Sequence, residues 1–493
     1  MKEVGLRQVY DVISESLEAE DQARMNSALW PALNQFPGDS VLHHFASHAY
    51  TKEDRLVSAL LHAQKSNELE PSAGNYINIG SILRRMNMPD AAYVALNEAI
   101  GYEPKNPHAW NNLAASYVNE GNPEPGLVAA REAVRLDPDF KKAIWNKGLL
   151  ELEVGNFADG FASYRSGLSI NEIRMMKNYT HPDKPTDDEP KYIEDFEELI
   201  KWRKEHQGSK PRIIVWGEQG MGDEIMFSTC LPDLVEHADI IFDCHPRMEK
   251  IMLDSYGDIC TEIYPTRKLL DTNWYKDTQP CQFKCSIGEL PNWFRRDLES
   301  FHKARNEQAP WLVADPELVK SYRDAYEELM PGKKYVGFGW TGGIISTQRW
   351  YRSAQLPELS PMLLHPDIQP ISLQYEDDTM PVQHYLEKTG KLVYRFPGAK
   401  EHYDYHHTLA MVAALDCVVT VCQTVAHLSA AAGQQTMVLV PNAPAWRYGL
   451  EGTDWFWYPE NATLHRRPGD SWAPAIQACT EHLFRYLELE EVA

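Results

Sequence analysis

The chain has 493 residues, of which 43% are hydrophobic, and a formal net charge of −23. That length accommodates about two to four domains with substantial cores. The acidity excludes a surface built for generic phosphate binding on nucleic acid or anionic membrane, which requires clustered Lys and Arg. The nearest approach to a basic run is IKWRKEHQGSKPR at 200–212, and a local pocket for one diphosphate remains compatible with the balance.

The opening stretch, MKEVGLRQVYDVISESLEAEDQ, carries no apolar core of the kind a secretory signal needs. No apolar run is long enough to span a bilayer, so no membrane span is expected. All eight cysteines lie at or beyond Cys230 with irregular spacing. Cys281 and Cys285 have no second pair at zinc-site spacing, so the thiols are expected to be reduced and mostly buried, in a cytoplasmic setting.

In chain order, the first elements repeat. Pro37, Pro71, Pro104 and Pro138 stand 34, 33 and 34 residues apart, each after an apolar helical run. Trp110, Leu113, Ala114, Tyr117, Gly121, Gly126, Ala130 and Ala133 fill one register. Tyr76, Ile79, Gly80, Leu83, Ala92, Leu96 and Ala99 fill the same register one period earlier. The unit before that is looser, with Tyr50, Ala59 and Ala63, and a further one starts near Lys141 with Trp145, Gly148, Gly155, Gly160 and Tyr164. A period near 34 with these positions resembles the tetratricopeptide family. Residues 1–170 are therefore expected to be stacked helix pairs, since one pair alone cannot bury its apolar face. Such an array serves either as a concave surface for a protein or peptide partner or as a rigid spacer or dimer contact.

Residues 171–208 change character and read as a linker followed by a polar helix near 190–206. After Pro211, short apolar runs alternate with helical stretches. Strands are expected at 212–216, 239–244, 335–339, 370–374, 391–396, 416–421 and 436–440, several of them continuously apolar as in parallel sheets covered on both faces. The runs fall into two sets, 209–325 and 333–485, which predicts α/β structure in two doubly wound lobes. A final helix over 474–489 could cross back to the first.

The first set opens with a strand and then GEQGMGDEIMFSTCLP at 217–232. Gly220 and Gly222 stand between strand and helix, where backbone amides can face an anion or a substrate hydroxyl. The second set carries Trp340, Thr341, Gly342 and Gly343 directly after a strand, where small residues let the backbone approach a diphosphate. Arg349 and Arg352 follow, and either guanidinium could neutralise a departing diphosphate. Gln374 closes a later strand. Thr424, Val425, Ala426 and His427 open a helix whose first amides favour phosphate.

These strings, taken in order, are similar to GT-B glycosyltransferases, with GEQGMGD resembling the start of heptosyltransferase-like enzymes. The overall plan resembles that of the O-linked N-acetylglucosamine transferases. The resemblance covers about 209–480 and includes Arg352–Ser353, the stretch 424–427, WRYG at 446–449 and WYP at 457–459. It implies a nucleotide-sugar donor held by the second lobe and an acceptor near the first, such as a protein or peptide presented by the repeats. It also implies Asp223 as the base on the acceptor hydroxyl, with Glu218 and Glu224 as weaker alternatives, and a donation from His427 to phosphate. A single aspartate base suggests inversion, and no metal or other cofactor is expected to be required. Asp223 as a helix cap, His427 as a buried histidine, Arg352 as a surface residue and Trp446 as plain core are the structural alternatives. Relatives often carry Asp-Thr where this chain has Cys422-Gln423 and His407-Thr408, and Gly where it has Ser429-Ala430-Ala431. Those departures favour the other reading, a non-catalytic repeat scaffold with a degenerate α/β module. P-loop, G-x-S-x-G and H-E-x-x-H motifs are absent. Glu376, Asp377 and Asp378 read as an exposed turn more readily than as a metal cluster.

Overall fold

The computed structural model describes residues 2–118, 120–170, 174, 176, 177, 179, 189–267, 272–343, 349–375, 377–396 and 405–490. The chain divides by compactness into two units, Met1–Leu150 and Glu151–Ala493.

The first unit is built of antiparallel helix pairs: α1 (Lys2–Glu18) with α2 (Gln22–Gln35), α3 (Ser40–Lys52) with α4 (Leu56–Leu69), α5 (Ala73–Arg85) with α6 (Pro89–Tyr102), and α7 (Pro107–Tyr117) with α8 (Pro123–Leu136). The periodic prolines end the second helix of each pair, and a polar residue just beyond each of the first three caps the next helix. Asp39 accepts from Leu42 N–H at 2.9 Å, Ser72 from Asn75 N–H at 3.3 Å and Asn106 from His108 N–H at 2.9 Å. Within pairs the helices touch at glycine. A Cβ on Gly80 would stand 2.5 Å from Leu96 Cγ, and one on Gly126 2.6 Å from Tyr117 Cβ.

The repeat expected to start near Lys141 does not stay in one unit. The boundary falls inside α9 (Lys141–Glu153), leaving Trp145 and Gly148 in the first unit and Gly155, Gly160 and Tyr164 in the second. The cause lies in α10 (Phe157–Tyr164), whose aromatic face packs into the second unit. Phe157 meets Phe301 and Phe456, Phe161 meets Trp446 and Trp457, and Tyr164 meets Phe227 and Trp446.

Among the described residues the second unit is α/β and holds two five-stranded sheets whose strands pair in parallel. The first has the order β1-β5-β2-β3-β4, from β1 (Lys191–Tyr192), β2 (Arg212–Trp216), β3 (Asp239–Asp243), β4 (Cys260–Tyr264) and β5 (Phe283–Ser286). The second has the order β10-β9-β8-β6-β7, from β6 (Lys334–Gly339), β7 (Ile368–Ser372), β8 (Cys417–Val421), β9 (Thr436–Val440) and β10 (Ala462–Arg466). Strands β8 and β9 are buried along their whole length, as continuous apolar sequence requires of a strand covered on both faces. All eight cysteines are buried here as free thiols.

Four expectations are corrected. Residues 391–396 do not form a strand; Tyr394 makes an isolated bridge to Ile371. The strand expected at 370–374 lies at Ile368–Ser372. The polar helix begins at Phe196 and runs to Glu205 as α11, preceded by β1. The final helix, Ala473–Leu487, covers the second sheet through Ala475, Ile476, Cys479, Leu483 and Phe484, packed with Leu439 and Val421.

In each sheet the strand order reverses once. The chain leaves β6 in one direction to β7 and in the other to β8; it leaves β2 toward β3 and returns to β2's other side with β5. Loops at the carboxyl ends of such a strand pair diverge and open a crevice, the usual ligand position in open α/β sheets.

Candidate functional site

At the second sheet's reversal the loop after β6 meets the loop after β8. Gln374 Oε1 accepts from the amides of Trp340 at 3.0 Å and Thr341 at 3.2 Å, and Ser353 Oγ accepts from Gly342 N–H at 3.1 Å. Gln374 therefore shapes this loop. Gly342 is needed because a Cβ there would lie 2.6 Å from the Cys422 carbonyl. At Gly339 a Cβ would strike the Gln423 amide and stand 2.6 Å from Thr420 Oγ1. The two loops pass at backbone contact distance.

Gln423 precedes the helix Thr424–Ala431. It is 8% exposed, and its Nε2 donates to Thr420 Oγ1 at 2.8 Å, while its Oε1 is buried without a partner among the described residues. A buried carbonyl oxygen left unpaired carries a desolvation cost that a ligand donor would relieve. Thr424 is half-buried at the helix start; Val425 turns into the apolar cluster with Leu415 and Val418, and Ala426 N–H returns to Gln423 O at 3.1 Å.

His427 does not have the geometry expected of a phosphate donor. It is buried, with Nδ1 3.2 Å from the Tyr458 hydroxyl and Nε2 3.3 Å from the Tyr448 hydroxyl. Burial first, and the Arg447 charge second, hold the imidazole well below its ordinary pKa. Both nitrogens are engaged, so the ring acts as a neutral core group.

The helix α12 (Met221–Ser228) packs its first turn against that of Thr424–Ala431. A Cβ on Gly222 would stand 3.1 Å from His427 Cδ2 and 3.5 Å from Thr424 Cα, which explains the glycine. Two helix N-termini thus adjoin, each a region of positive potential. Asp223 Oδ2 accepts from the Gly220 amide at 3.1 Å, and its Oδ1 accepts from Arg447 Nη2 at 2.6 Å. The helix-capping role is therefore filled, together with an ion pair not foreseen in the sequence. Arg447 Nε is buried without a partner among the described residues. Arg352, half-buried on the short turn Arg349–Arg352, lies close enough to act electrostatically on Cys422 and Tyr448. Burial pushes the Cys422 thiol up to about 12 against that pull. Trp446 is core, packed on Phe161, Tyr164 and Trp457.

The alternatives to Asp223 are committed elsewhere. Glu218 and Glu289 bind the fully buried Arg174, whose guanidinium reaches Glu218 Oε2 at 2.8 Å, Glu289 Oε1 at 3.2 Å, Ser286 Oγ at 2.9 Å and the Tyr164 carbonyl at 2.8 Å. Arg174 so fills the crevice where β2 and β5 diverge. Glu224 pairs with Arg267 and accepts from His245 N–H at 2.9 Å. Burial raises both Glu224 and Glu289 above the ordinary carboxylate range, with the arginines opposing. Lys177 and the Tyr179 hydroxyl close over Asp243 at the end of β3. Of the acidic triplet, Glu376 lies outside the described residues. Asp377 is exposed, but Asp378 is buried and pairs with Arg395 at 2.8 Å, contrary to the exposed turn expected. Among the described residues no three His, Cys, Asp or Glu side chains converge as metal ligands, and no helix is long and apolar enough to cross a membrane.

Sequence comparison assigns residues 73–106 and 107–140 to the tetratricopeptide repeat. Protein FlbA of Caulobacter vibrioides is 25% identical over 432 residues, covering 81% of this chain and 70% of that protein. That span exceeds either unit alone, so the likeness crosses the boundary between them. The tetratricopeptide repeat-containing protein trd-1 of Caenorhabditis elegans is 24% identical over 131 residues, 26% of this chain and 17% of its own length. Hsp70-Hsp90 organizing protein 2 of Arabidopsis thaliana is 33% identical over 85 residues, 17% of this chain and 15% of that one. Among solved structures, MamA is 20% identical with a TM-score of 0.29, covering 35% of this chain and 94% of its own. The type IV pilus biogenesis factor PilW is 16% identical with a TM-score of 0.31, covering 34% and 78%.

Proposed function

We propose that the protein is a nucleotide-sugar-dependent glycosyltransferase of GT-B type, acting without a metal in the cytoplasm, with repeats that present a protein or peptide acceptor. The observation that carries this reading is the crevice after β6 and β8. It combines two adjoining helix N-termini, the unpaired Gln423 Oε1, the unpaired Arg447 Nε and the nearby Arg352 in a chain that is otherwise strongly acidic. Positive helix ends and guanidinium groups are the means by which a diphosphate is held, and its departure stabilised, without metal. Gln423 Oε1 would accept from a donor on the base or sugar. Asp223 would serve as base only once a ligand draws Arg447 away from it.

The second reading is a repeat scaffold whose α/β unit does not turn over. Its support is specific: Asp223 is already bonded to Arg447 and the Gly220 amide, and Arg174 fills the crevice beside β2.

Thermal shift against UDP, GDP, ADP, CMP and dTDP at millimolar concentration separates the two. A ligand at a hundred times its Kd stabilises by about 2.7 kcal/mol. One nucleotide should raise Tm, Arg352→Ala should abolish that rise, and His427→Ala should lower the starting Tm while keeping the rise. If no nucleotide shifts Tm, the transferase reading fails and the scaffold stands.

A further inference from the structure

We propose that His44 and His48, one turn apart on α3, form a two-imidazole site for a divalent first-row transition-metal ion. The proposal rests on the repeat unit alone and is independent of the sugar-transfer reading.

The Nε2 atoms of His44 and His48 stand 3.2 Å apart. Metal–imidazole bonds of about 2.0–2.1 Å at a near-tetrahedral angle place two ligand nitrogens about 3.3 Å apart. Two histidines at i and i+4 on one helix face are the arrangement that helical zinc sites use.

The tautomer is also set. Asn75, 6% exposed at the start of α5, donates its Nδ2 to the Glu70 carbonyl at 2.8 Å. That fixes its Oδ1 toward His44, whose Nδ1 lies 2.9 Å away and must therefore carry the proton. Nε2 of His44 is left with a bare lone pair, the form a metal needs, and Nδ1–H···O is the outer-shell bond that orients ligating histidines. His48 then donates Nε2–H to that lone pair. A metal ion takes its place between the two nitrogens once His48 moves its proton to Nδ1. His48 is exposed, so the ion can enter, and water or an incoming donor fills the remaining positions.

The neighbouring pair differs. His43 Nδ1 faces His62 Nδ1 at 2.9 Å across α3 and α4, with His43 Nε2 on the Pro37 carbonyl at 2.9 Å, a half-buried packing contact between helices. It serves as the internal control.

The test is isothermal titration of Zn2+ into the full-length, tag-free chain at pH 7.5, in a buffer that does not bind metal. One saturable equivalent is expected, weakened at least tenfold by His44→Gln or by His48→Gln, the latter an exposed change that leaves the fold intact. Asn75→Ala should weaken it about tenfold through the lost outer-shell bond, and His62→Gln should leave it unchanged. An absence of saturable binding overturns the proposal. So does a His48→Gln chain that binds as the parent does, or a loss confined to His62→Gln.

Discussion

The Arg174 side chain is fully buried, and its guanidinium ties together Glu218, Glu289, Ser286 and the Tyr164 carbonyl. Removing one member of such a network leaves an uncompensated buried charge, which costs about 3–5 kcal/mol. Arg174→Met should therefore lose about that much stability in urea unfolding followed by tryptophan fluorescence. Adding Glu218→Gln should recover part of it; a single-variant loss under about 1 kcal/mol would mean the network does not hold the crevice closed. The histidines make a second residue-scale case. Burial keeps His427 well below its ordinary pKa and His465, beside His482 at 3.2 Å, at about 4. The unfolded chain takes up protons near 6.5 while these two do not. Their contribution is thus intact above about pH 6.5 and lost as pH falls from there toward 4, at up to about 1.4 kcal/mol per pH unit for each. His465→Gln should flatten the fall of Tm between pH 7.5 and 5, and an unchanged slope would refute the assignment. Neither arrangement was legible beforehand. Arg174 and Glu218 lie 44 residues apart, and only the fold shows that Tyr448 and Tyr458 occupy both nitrogens of His427.

For single elements, the contest is between backbone propensity and packing. Alanine in a helix is favoured over glycine by about 1 kcal/mol, so Gly80→Ala on α5 would stabilise an isolated helix. Here the new methyl meets Leu96 Cγ at 2.5 Å, and overpacking costs about 1–3 kcal/mol. The clash should win, lowering Tm of the full chain, whereas Gly101→Ala on α6, with open space around it, should be neutral or stabilising. The two changes moving Tm alike would show that α5 and α6 can part. The same contrast explains which strands could be read in advance. Continuously apolar β2, β8 and β9 announce themselves. Strands β4 (CTEIY), β5 (FKCS) and β10 (ATLHR) carry polar residues that break the pattern, and the two-residue β1 has almost no pattern to read. Residues 391–396 look like a strand but give a single bridge among the described residues, Tyr394 to Ile371 on the edge strand β7.

Across the whole molecule, the repeats were legible because their periodicity is local and recurs, and the parallel sheets because burial on both faces dictates composition. The α10 aromatic face was not, since Phe157, Phe161 and Tyr164 satisfy the repeat pattern equally well, and only their partners at Phe301, Trp446 and Phe227 decide where the repeats give way. The candidate site was legible in outline: Gly342, Gln374, Thr424 and Arg352 fall at the reversal between β6 and β8. In the sequence Arg447 stands out only as part of WRYG and Gln423 only as a departure from relatives; their unpaired atoms emerge from the fold.

The placement of the thiols gives the chain a chemical asymmetry. All eight are enclosed in the α/β unit, and the repeats have none. A slow sulfhydryl reagent can therefore act only on openings of the sheets. A single cysteine introduced on an outer helix face of the repeats, at Val94 or Val128 for instance, would be labelled ahead of every native one. The repeat array can in this way carry a dye or spin label with the wild-type cysteines left in place.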